Sequence, residues 1–279
     1  MGTLRLLIDG DILIYKACWA VQTVVHWDDG ILTTATSTEA LAAQANLMIQ
    51  DWQEKLGEGK EVTTVICFSD RGNNFRRKIF PDYKLNRKDK KKPLGYNHLE
   101  IYLKEHYVTK TQPMLEADDV LGIHATDKKF NRNLIVSIDK DMLTIPCEYY
   151  NMDSEIIEIV DENMADHMFF FQTLTGDSVD NYKGCPGIGP KKATELLLTK
   201  GVKWQTIIDA YAKAGLTEDH ALTQARVARI LRTQDYNLEK EEIKLWSPSK
   251  KMEKVIICLK KLCLHHIMQG GMLSLSVLL

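Results

Sequence analysis

The pattern of apolar and polar positions along this chain changes period from block to block, and each change predicts an element. Leu4 to Tyr15 is an apolar run interrupted by Asp9-Gly10-Asp11. Such a run predicts a strand buried on both faces that ends in a functional turn. From Thr38 to Leu56, Ala40, Leu41, Ala45, Met48, Ile49 and Trp52 recur at three-to-four spacing, and Gly57 follows, which predicts a helix closed by glycine. Val62 to Phe68 is a β-branched run that predicts a central strand delivering Ser69-Asp70 at its C-terminal end. A helix is expected near Asn97–His106, and another from Glu116-Ala-Asp-Asp that carries Val120, Leu121 and Ile123 inward. Leu134 to Ile138 predicts a further buried strand, ending at Asp139-Lys-Asp141.

Strands that alternate with helices predict an α/β fold with a mostly parallel central sheet and helices on both faces. Ligands of such sheets bind outside the carboxyl ends of the strands. Asp9, Asp70 and Asp139 all fall at strand C-terminal ends by this reading. Beyond about residue 161 the pattern turns helical. An aromatic-rich helix over Met164–Leu174 is broken by Gly176-Asp-Ser-Val-Asp180, and a tight loop, Gly184-Cys-Pro-Gly-Ile-Gly-Pro190, opens a helix at Lys191-Lys192. Further helices are expected near Trp204–Ala214 and Asp219–Thr233. The expected organisation is an α/β region over 1–160, a helical region over 161–247 and a tail over 248–279 without a recognisable motif.

Composition narrows this picture without redirecting it. Of 279 residues, 44% are hydrophobic and 27% charged, as in ordinary globular proteins. No apolar run reaches the roughly 18 residues a membrane span needs. Met-Gly-Thr-Leu-Arg leads straight into a strand-like segment, so no signal peptide is expected. The six cysteines lack paired metal spacing and mostly sit among apolar neighbours, which reads as reduced thiols in a cytoplasm. The net charge of −2 conceals a separation of signs: residues 75–92 hold nine Lys/Arg against Asp82 and Asp89. A local basic run beside an acidic site permits nucleic-acid binding, whereas charge alone fits a solvated loop equally well.

Three constellations carry chemistry. The first is the acid set Asp9, Asp70, Glu116, Asp118, Asp119, Asp139, Asp141, Asp177 and Asp180. Crowded carboxylates repel unless cations neutralise them. Oxygen donors without His or Cys suit hard Mg²⁺, or Mn²⁺ in its place, rather than zinc. Glu116 and Asp119 are expected on one helix face, with Asp118 about 100° round from Asp119. Two ions about 3.5–4 Å apart would activate a water and stabilise the leaving oxygen. Any one of these acids could be a cap or a surface group; their grouping at strand ends and helix starts favours a site. The second is Phe80-Pro-Asp-Tyr83-Lys84-x-x-Arg87, where Tyr83 could stack on a base while Lys84 and Arg87 share a helix face and hold a phosphate. The third, Gly187-Ile-Gly189-Pro-Lys191, could present backbone N–H groups to a phosphate at a helix start, although a plain connector has the same form.

In this order and spacing, the motifs resemble the flap-endonuclease/5′-exonuclease superfamily. They are Ile8-Asp9-Gly10, Phe68-Ser-Asp70, Pro81-Asp-Tyr83-Lys84-x-x-Arg87, Leu115-Glu116-Ala-Asp118-Asp119-Val, Ser137-x-Asp139-x-Asp141 and Gly176-Asp177-x-x-Asp180-Asn. Gly184-x-x-Gly187-Ile-Gly189-x-Lys191 resembles the family's helix–three-turn–helix. The likeness covers about residues 4–247, and Lys92-Pro-x-Gly-Tyr96 and Ala225-Arg-x-Ala-Arg-Ile-Leu231 also resemble segments of the 5′→3′ exonucleases of T-odd short-tailed coliphages. The resemblance implies a PIN-like 5′ nuclease core with a helical arch over 75–107. It implies a first metal at Asp9, Asp70, Glu116 and Asp118, with Asp9 and Asp118 catalytic, and a second surrounded by Asp119, Asp139, Asp141, Asp177 and Asp180. Lys84 and Arg87 would contact the scissile phosphate. DNA contacts would come from Arg76, Arg77, Tyr83, Lys84, Arg87, Gly187, Gly189, Lys191 and Lys192, with K⁺ at the helix–three-turn–helix. The substrates implied are duplex DNA with 5′ ends, flaps or nicks and RNA–DNA hybrids, acted on by a monomer without a membrane. Asp11 stands where many relatives carry a small polar residue, and its role is open.

Two rivals explain less. A haloacid-dehalogenase phosphatase would use Asp9-Gly-Asp11-Ile-Leu13 as its nucleophile motif but leaves Glu116, Asp118, Asp119, Asp139 and Asp141 without a task. A DNA-binding scaffold without cleavage would not keep acids near a phosphate path, where they repel DNA unless ions intervene.

Overall fold

The computed structural model describes residues 3–28, 30–87 and 91–248. Strand β1 (Leu4–Asp9) passes directly into helix α1 (Gly10–Val21), and a hairpin of β2 (Thr23–His26) and β3 (Leu32–Ala35) leads to α2 (Thr38–Gly57) and β4 (Val62–Cys67). Then come the short α3 (Phe75–Ile79), α4 (Tyr96–His106), β5 (Thr109–Lys110), α5 (Ala117–Ala125), β6 (Asn133–Ser137), β7 (Glu148–Asn151) and β8 (Ile157–Ile159). Helices α6 (Glu162–Thr175), α7 (Pro190–Lys200), α8 (Trp204–Lys213) and α9 (Glu218–Ala228) precede a small ribbon, β9 (Tyr236–Asn237) and β10 (Glu242–Ile243).

The chain forms two compact units. The first comprises Met1–Phe75, Asp89–Asp161 and Ile230–Lys244; the second comprises Arg76–Lys88, Glu162–Arg229 and the described residues from Leu245. The first unit holds a six-stranded sheet in the order β5-β4-β1-β6-β7-β8, parallel except for β8. This is the expected fold class. Every residue of β1 is buried, as a central parallel strand requires. Leu4, Leu6 and Ile8 share a core with Leu13 and Ile14 of α1, Leu41, Ile49 and Trp52 of α2, and Leu99 and Leu103 of α4.

Residues 75–107 divide between the units: Arg76–Lys88 groups with the second, while α4 is a core helix of the first. Leu99 and Leu103, one helical turn apart, bury it with α1 and α2. The region 161–247 likewise divides, with Ile230–Lys244 grouped in the first unit. Finally, α9 stops at Ala228 rather than near Thr233. The Leu231 N–H donates to Asp119 and the Thr233 N–H to Thr126 Oγ1, so side chains take the amides a continuing helix would use internally.

The second unit has its own core of Phe169, Phe170, Tyr182, Leu197, Trp204, Ile207, Tyr211 and Trp246. Trp246 meets Phe169 and Trp204 edge to face with ring centroids 5.1 Å apart in each pair, and Phe170 at 6.1 Å. Gly176 and Gly184 require glycine: both have positive φ, and an added Cβ on either would fall within 2.6 Å of the other's backbone. Cys18, Cys67, Cys147 and Cys185 are free thiols; Cys258, Cys263 and nearly all of the tail over 248–279 lie outside the described residues. Among the described residues no helix is long and apolar enough to cross a membrane.

Candidate active site

The sequence folds so that the strand ends of the first unit carry carboxylates. Asp9 ends β1, and as the N-cap of α1 it accepts the Ile12 N–H at 3.1 Å; its other oxygen accepts the Ser137 hydroxyl at 2.8 Å. Asp9 is almost fully buried. Burial first, then the nearby Asp11 and Asp139 charges, push its carboxyl up to about 7 against the bonds from Ile12 and Ser137. Asp70 follows β4 and accepts the Met114 N–H at 2.7 Å. Asp139 follows β6, accepts the Asp141 N–H at 2.9 Å and so opens a 3₁₀ turn over Lys140–Thr144. Asp118 and Asp141 are half-buried at the starts of α5 and of that turn, and Glu116 is the N-cap of α5.

Asp119 differs from the rest. Its side chain is inaccessible, with one oxygen accepting the Glu116 N–H at 3.2 Å and the other the Leu231 N–H at 3.1 Å. It fastens the start of α5 to the returning segment at Ile230. Among the described residues, no three Asp, Glu, His or Cys side chains converge into a ready metal cage. The fit to a divalent cation therefore rests on donor chemistry. The groups at these strand ends are carboxylate oxygens, and the buried Asp9 resists ionisation beside two other acids, a condition that a nearby cation reverses.

In the second unit, charge gathers around Asp180. Its carboxylate accepts from Arg87 Nη2 at 2.7 Å and from the Tyr83 hydroxyl at 2.9 Å, with Lys84 Nζ at 3.5 Å. Lys84 and Arg87 do not share an α-helical face as expected. Lys84 sits in a turn at φ 54°, Arg87 ends a 3₁₀ turn, and a common carboxylate brings them together. Asp177 caps the same loop, accepting the Val179 N–H at 2.7 Å.

The basic residues expected to meet DNA divide into two kinds. Arg76 is buried and donates to the carbonyls of Val227 and Arg229 at 2.9 and 2.7 Å, so it is a structural brace rather than a DNA contact. Tyr83 is 3% exposed and packs in the second core, which leaves no face for a base. Arg77, Lys191 and Lys192 are exposed. The loop before α7 ends at Gly189, its N-cap, with no side chain bonded there, while Lys192 Nζ donates to the Gly187 carbonyl at 2.9 Å. Gly187 holds φ 74°, but Gly189 is extended and an added Cβ there would meet nothing, so only the first is a conformational requirement.

Sequence reasoning missed three residues. Ser69 and Ser137, the second residue past β4 and the last residue of β6, hold neighbouring acids through their hydroxyls. Asp11 accepts from Ser69 and Tyr96. The available signal was a serine one or two residues before an acid at both strand ends.

Comparison with known proteins supplies the class to which this mostly parallel sheet, with acids at its carboxyl ends, belongs. Residues 4–169 match the family model described as the 5′-3′ exonuclease N-terminal resolvase-like domain. The chain belongs to this 5′-3′ exonuclease family and is a nuclease. It is 31% identical to the exodeoxyribonuclease of Enterobacteria phage T3, over 87% of this chain and 92% of that protein. Against the exonuclease of Escherichia phage T7 the identity is 30%, over 87% and 93%. Among solved structures, a phage T5 protein co-crystallised with metal ions superposes with a TM-score of 0.60 at 17% identity, covering 81% of this chain and 89% of that one.

Proposed function

We propose that this 5′-3′ exonuclease removes nucleotides from the 5′ ends of duplex DNA, at nicks and flaps as well as ends, with divalent cations held at the strand ends of its first unit. The observation that carries the reading is Asp9, a buried carboxylate crowded by Asp11 and Asp139 and held back from ionising. Mg²⁺ is the cation of choice for an all-oxygen set, with Mn²⁺ able to substitute. Asp9, Asp70, Glu116, Asp118, Asp139 and Asp141 are its proposed holders. Bound there, two such ions would supply an activated water and neutralise the leaving oxygen. The phage T5 relative co-crystallised with metal ions supports this use of metal.

The chain's own residues divide the remaining work. Ser137 and the Ile12 amide orient the Asp9 carboxylate. Asp119, spent on two backbone amides, positions the start of α5 and so the neighbouring Glu116 and Asp118. Lys84 and Arg87 are proposed to engage the phosphate to be cut, exchanging contact with Asp180 for contact with DNA. The ligand roles of Asp177 and Asp180 rest on the family resemblance. Lys191, Lys192 and the amides of Gly187 and Gly189 are proposed to hold duplex phosphates, with K⁺ at that loop as part of the same reading. RNA in RNA–DNA hybrids is a further proposed substrate, and the working form is a monomer in the cytoplasm.

The test is digestion of 5′- and 3′-labelled duplex, nicked, flap and hybrid substrates in Mg²⁺, then in EDTA. Release of the 5′ label first, abolished by EDTA, is expected. Cleavage that persists in EDTA would overturn the metal reading, and loss of the 3′ label first would overturn the polarity.

A further inference from the structure

Asp11 lies in the first turn of α1, two residues beyond Asp9, yet its side chain turns to other elements. One oxygen accepts the Ser69 hydroxyl at 2.5 Å, and the other accepts the Tyr96 hydroxyl at 3.0 Å. Ser69 Oγ in turn accepts the Ala117 N–H at 2.9 Å. Ser69 immediately precedes Asp70, and Ala117 sits between Glu116 and Asp118. Tyr96 cannot drift: it is 4% exposed, meets Tyr15 edge to face, and has the Arg71 guanidinium at 4.5 Å and the Lys92 ammonium at 4.1 Å from its ring centroid. Arg71 is itself fixed by Asn97 and Glu100, and Glu100 also accepts from Lys104. Thus one carboxylate joins the start of α1, the turn after β4, the start of α5 and the anchored start of α4.

We propose that Asp11 is a positioning residue, which through Ser69 sets the spacing of the three acid-bearing segments around Asp9, Asp70 and Glu116–Asp118 without itself holding a cation. The inference rests on the metal reading above. Favouring the helix dipole would explain an acid in this first turn, but it would not call for two hydroxyl donors from separate elements. Hydrogen-bonded partners behind ligating carboxylates fix their orientation, and losing such a partner typically weakens metal affinity or activity ten- to a hundredfold.

The experiment measures Mn²⁺ binding calorimetrically without DNA, and the Mg²⁺ dependence of kcat on 5′-labelled duplex, for Asp11→Ala, Asp11→Asn, Ser69→Ala and Tyr96→Phe. Asp11→Ala and Ser69→Ala are expected to weaken Mn²⁺ binding and raise the half-saturating Mg²⁺ by roughly tenfold or more, at unchanged stoichiometry and with little change in KM for DNA. Asp11→Asn keeps an acceptor for one hydroxyl and a donor for Ser69 Oγ, so it should recover most of the loss. Tyr96→Phe removes one hydroxyl and should shift the same quantities less, which keeps the question open to measurement if Asp11→Ala folds poorly. Unchanged Mn²⁺ affinity in folded Asp11→Ala would overturn the proposal. So would an Asp11→Asn as impaired as Asp11→Ala, or a lost equivalent of Mn²⁺, since either makes Asp11 a ligand. Asp139→Asn is the control on the underlying reading: Mn²⁺ binding unaffected there would remove the metal assignment, and with it the object of Asp11's positioning.

Discussion

The two units hold their central carboxylates by different means. In the first, Asp9 is bonded by a backbone amide and a serine hydroxyl while other acids crowd it. In the second, Asp180 is bonded by a guanidinium and a phenol with an ammonium beside it. Neutral donors orient a buried carboxylate but leave its charge largely uncompensated, so the site keeps an appetite for cations. Cationic donors satisfy theirs, and what remains to be recruited is a competing anion for Lys84 and Arg87. The contrast teaches that acid count alone does not define a metal site. The identity of the donors around each acid decides whether it attracts a cation or anchors basic groups. The same logic sets Asp119 apart from Asp139: both are held by amides, but Asp119 is inaccessible with both oxygens engaged in structure.

The largest effect should come from Asp139→Asn. Asparagine retains the cap on the 3₁₀ turn, since its carbonyl can still accept the Asp141 amide. The fold should therefore survive while kcat falls on the order of a thousandfold or more. Single-turnover cleavage beside a melting curve measures both. Near-normal turnover in a folded variant would erase the functional side of the contrast.

Second is a pair within the basic run. Arg76→Ala strips charged donors from two buried carbonyls and should cost about 3 kcal/mol of stability. Arg77→Ala, next to it and exposed, should change stability by less than about 0.5 kcal/mol. Chemical denaturation of the two proteins ranks them. Equal stabilities would mean that the brace to Val227 and Arg229 contributes nothing.

Much of this arrangement was legible in the sequence, and the parts that were not have physical reasons. β1 and β6 showed as apolar runs because central parallel strands are buried on both faces, and β4 showed as a β-branched run whose second half is buried; the acids at their ends followed. The hairpin of β2 and β3 was not visible, since its residues are largely exposed and carry no period-two burial signal. The roles within the basic run were hidden because charge runs do not reveal which arginine turns inward; Arg76 and Arg77 are indistinguishable until the carbonyls of Val227 and Arg229 are placed. Asp119 read as a ligand because its motif is acidic, whereas its bond to Leu231 spans 112 residues of sequence. Asp11 stayed open for the same reason, as Tyr96 is 85 residues away.

Third comes the pH dependence of Asp9, which sharpens the claim about uncompensated charge. Its folded carboxyl is raised to about 7, above the value of about 4 expected in the unfolded chain. The folded state therefore keeps the proton more tightly, and the resulting stability, full below about pH 4, is lost as pH rises through about 7. Asp9→Asn removes this dependence while still able to accept from Ile12 and donate to Ser137. In EDTA the variant should gain on the parent between pH 4 and 7 and hold that lead at pH 8. Denaturation midpoints at four pH values measure it. A constant difference across that range would show that Asp9 ionises freely.

The smallest effect belongs to the glycine loop, where the second unit should meet DNA without chemistry. Lys191 is exposed in the first turn of α7, beside amides that no side chain caps. If duplex phosphate lies there, Lys191→Ala should lower the log–log dependence of binding on salt by about one unit and leave cleavage of bound substrate unchanged. Gly189 sharpens the point, since its backbone is extended and an added side chain meets no protein atom. Gly189→Val should therefore leave the melting temperature near the parent's and weaken duplex binding only by crowding the phosphate. Single-stranded 5′ ends should be less affected than duplex in both variants. Binding isotherms at three salt concentrations, with melting curves alongside, separate this from a solvent-facing connector, for which Lys191→Ala changes neither slope nor affinity and Gly189→Val changes nothing at all.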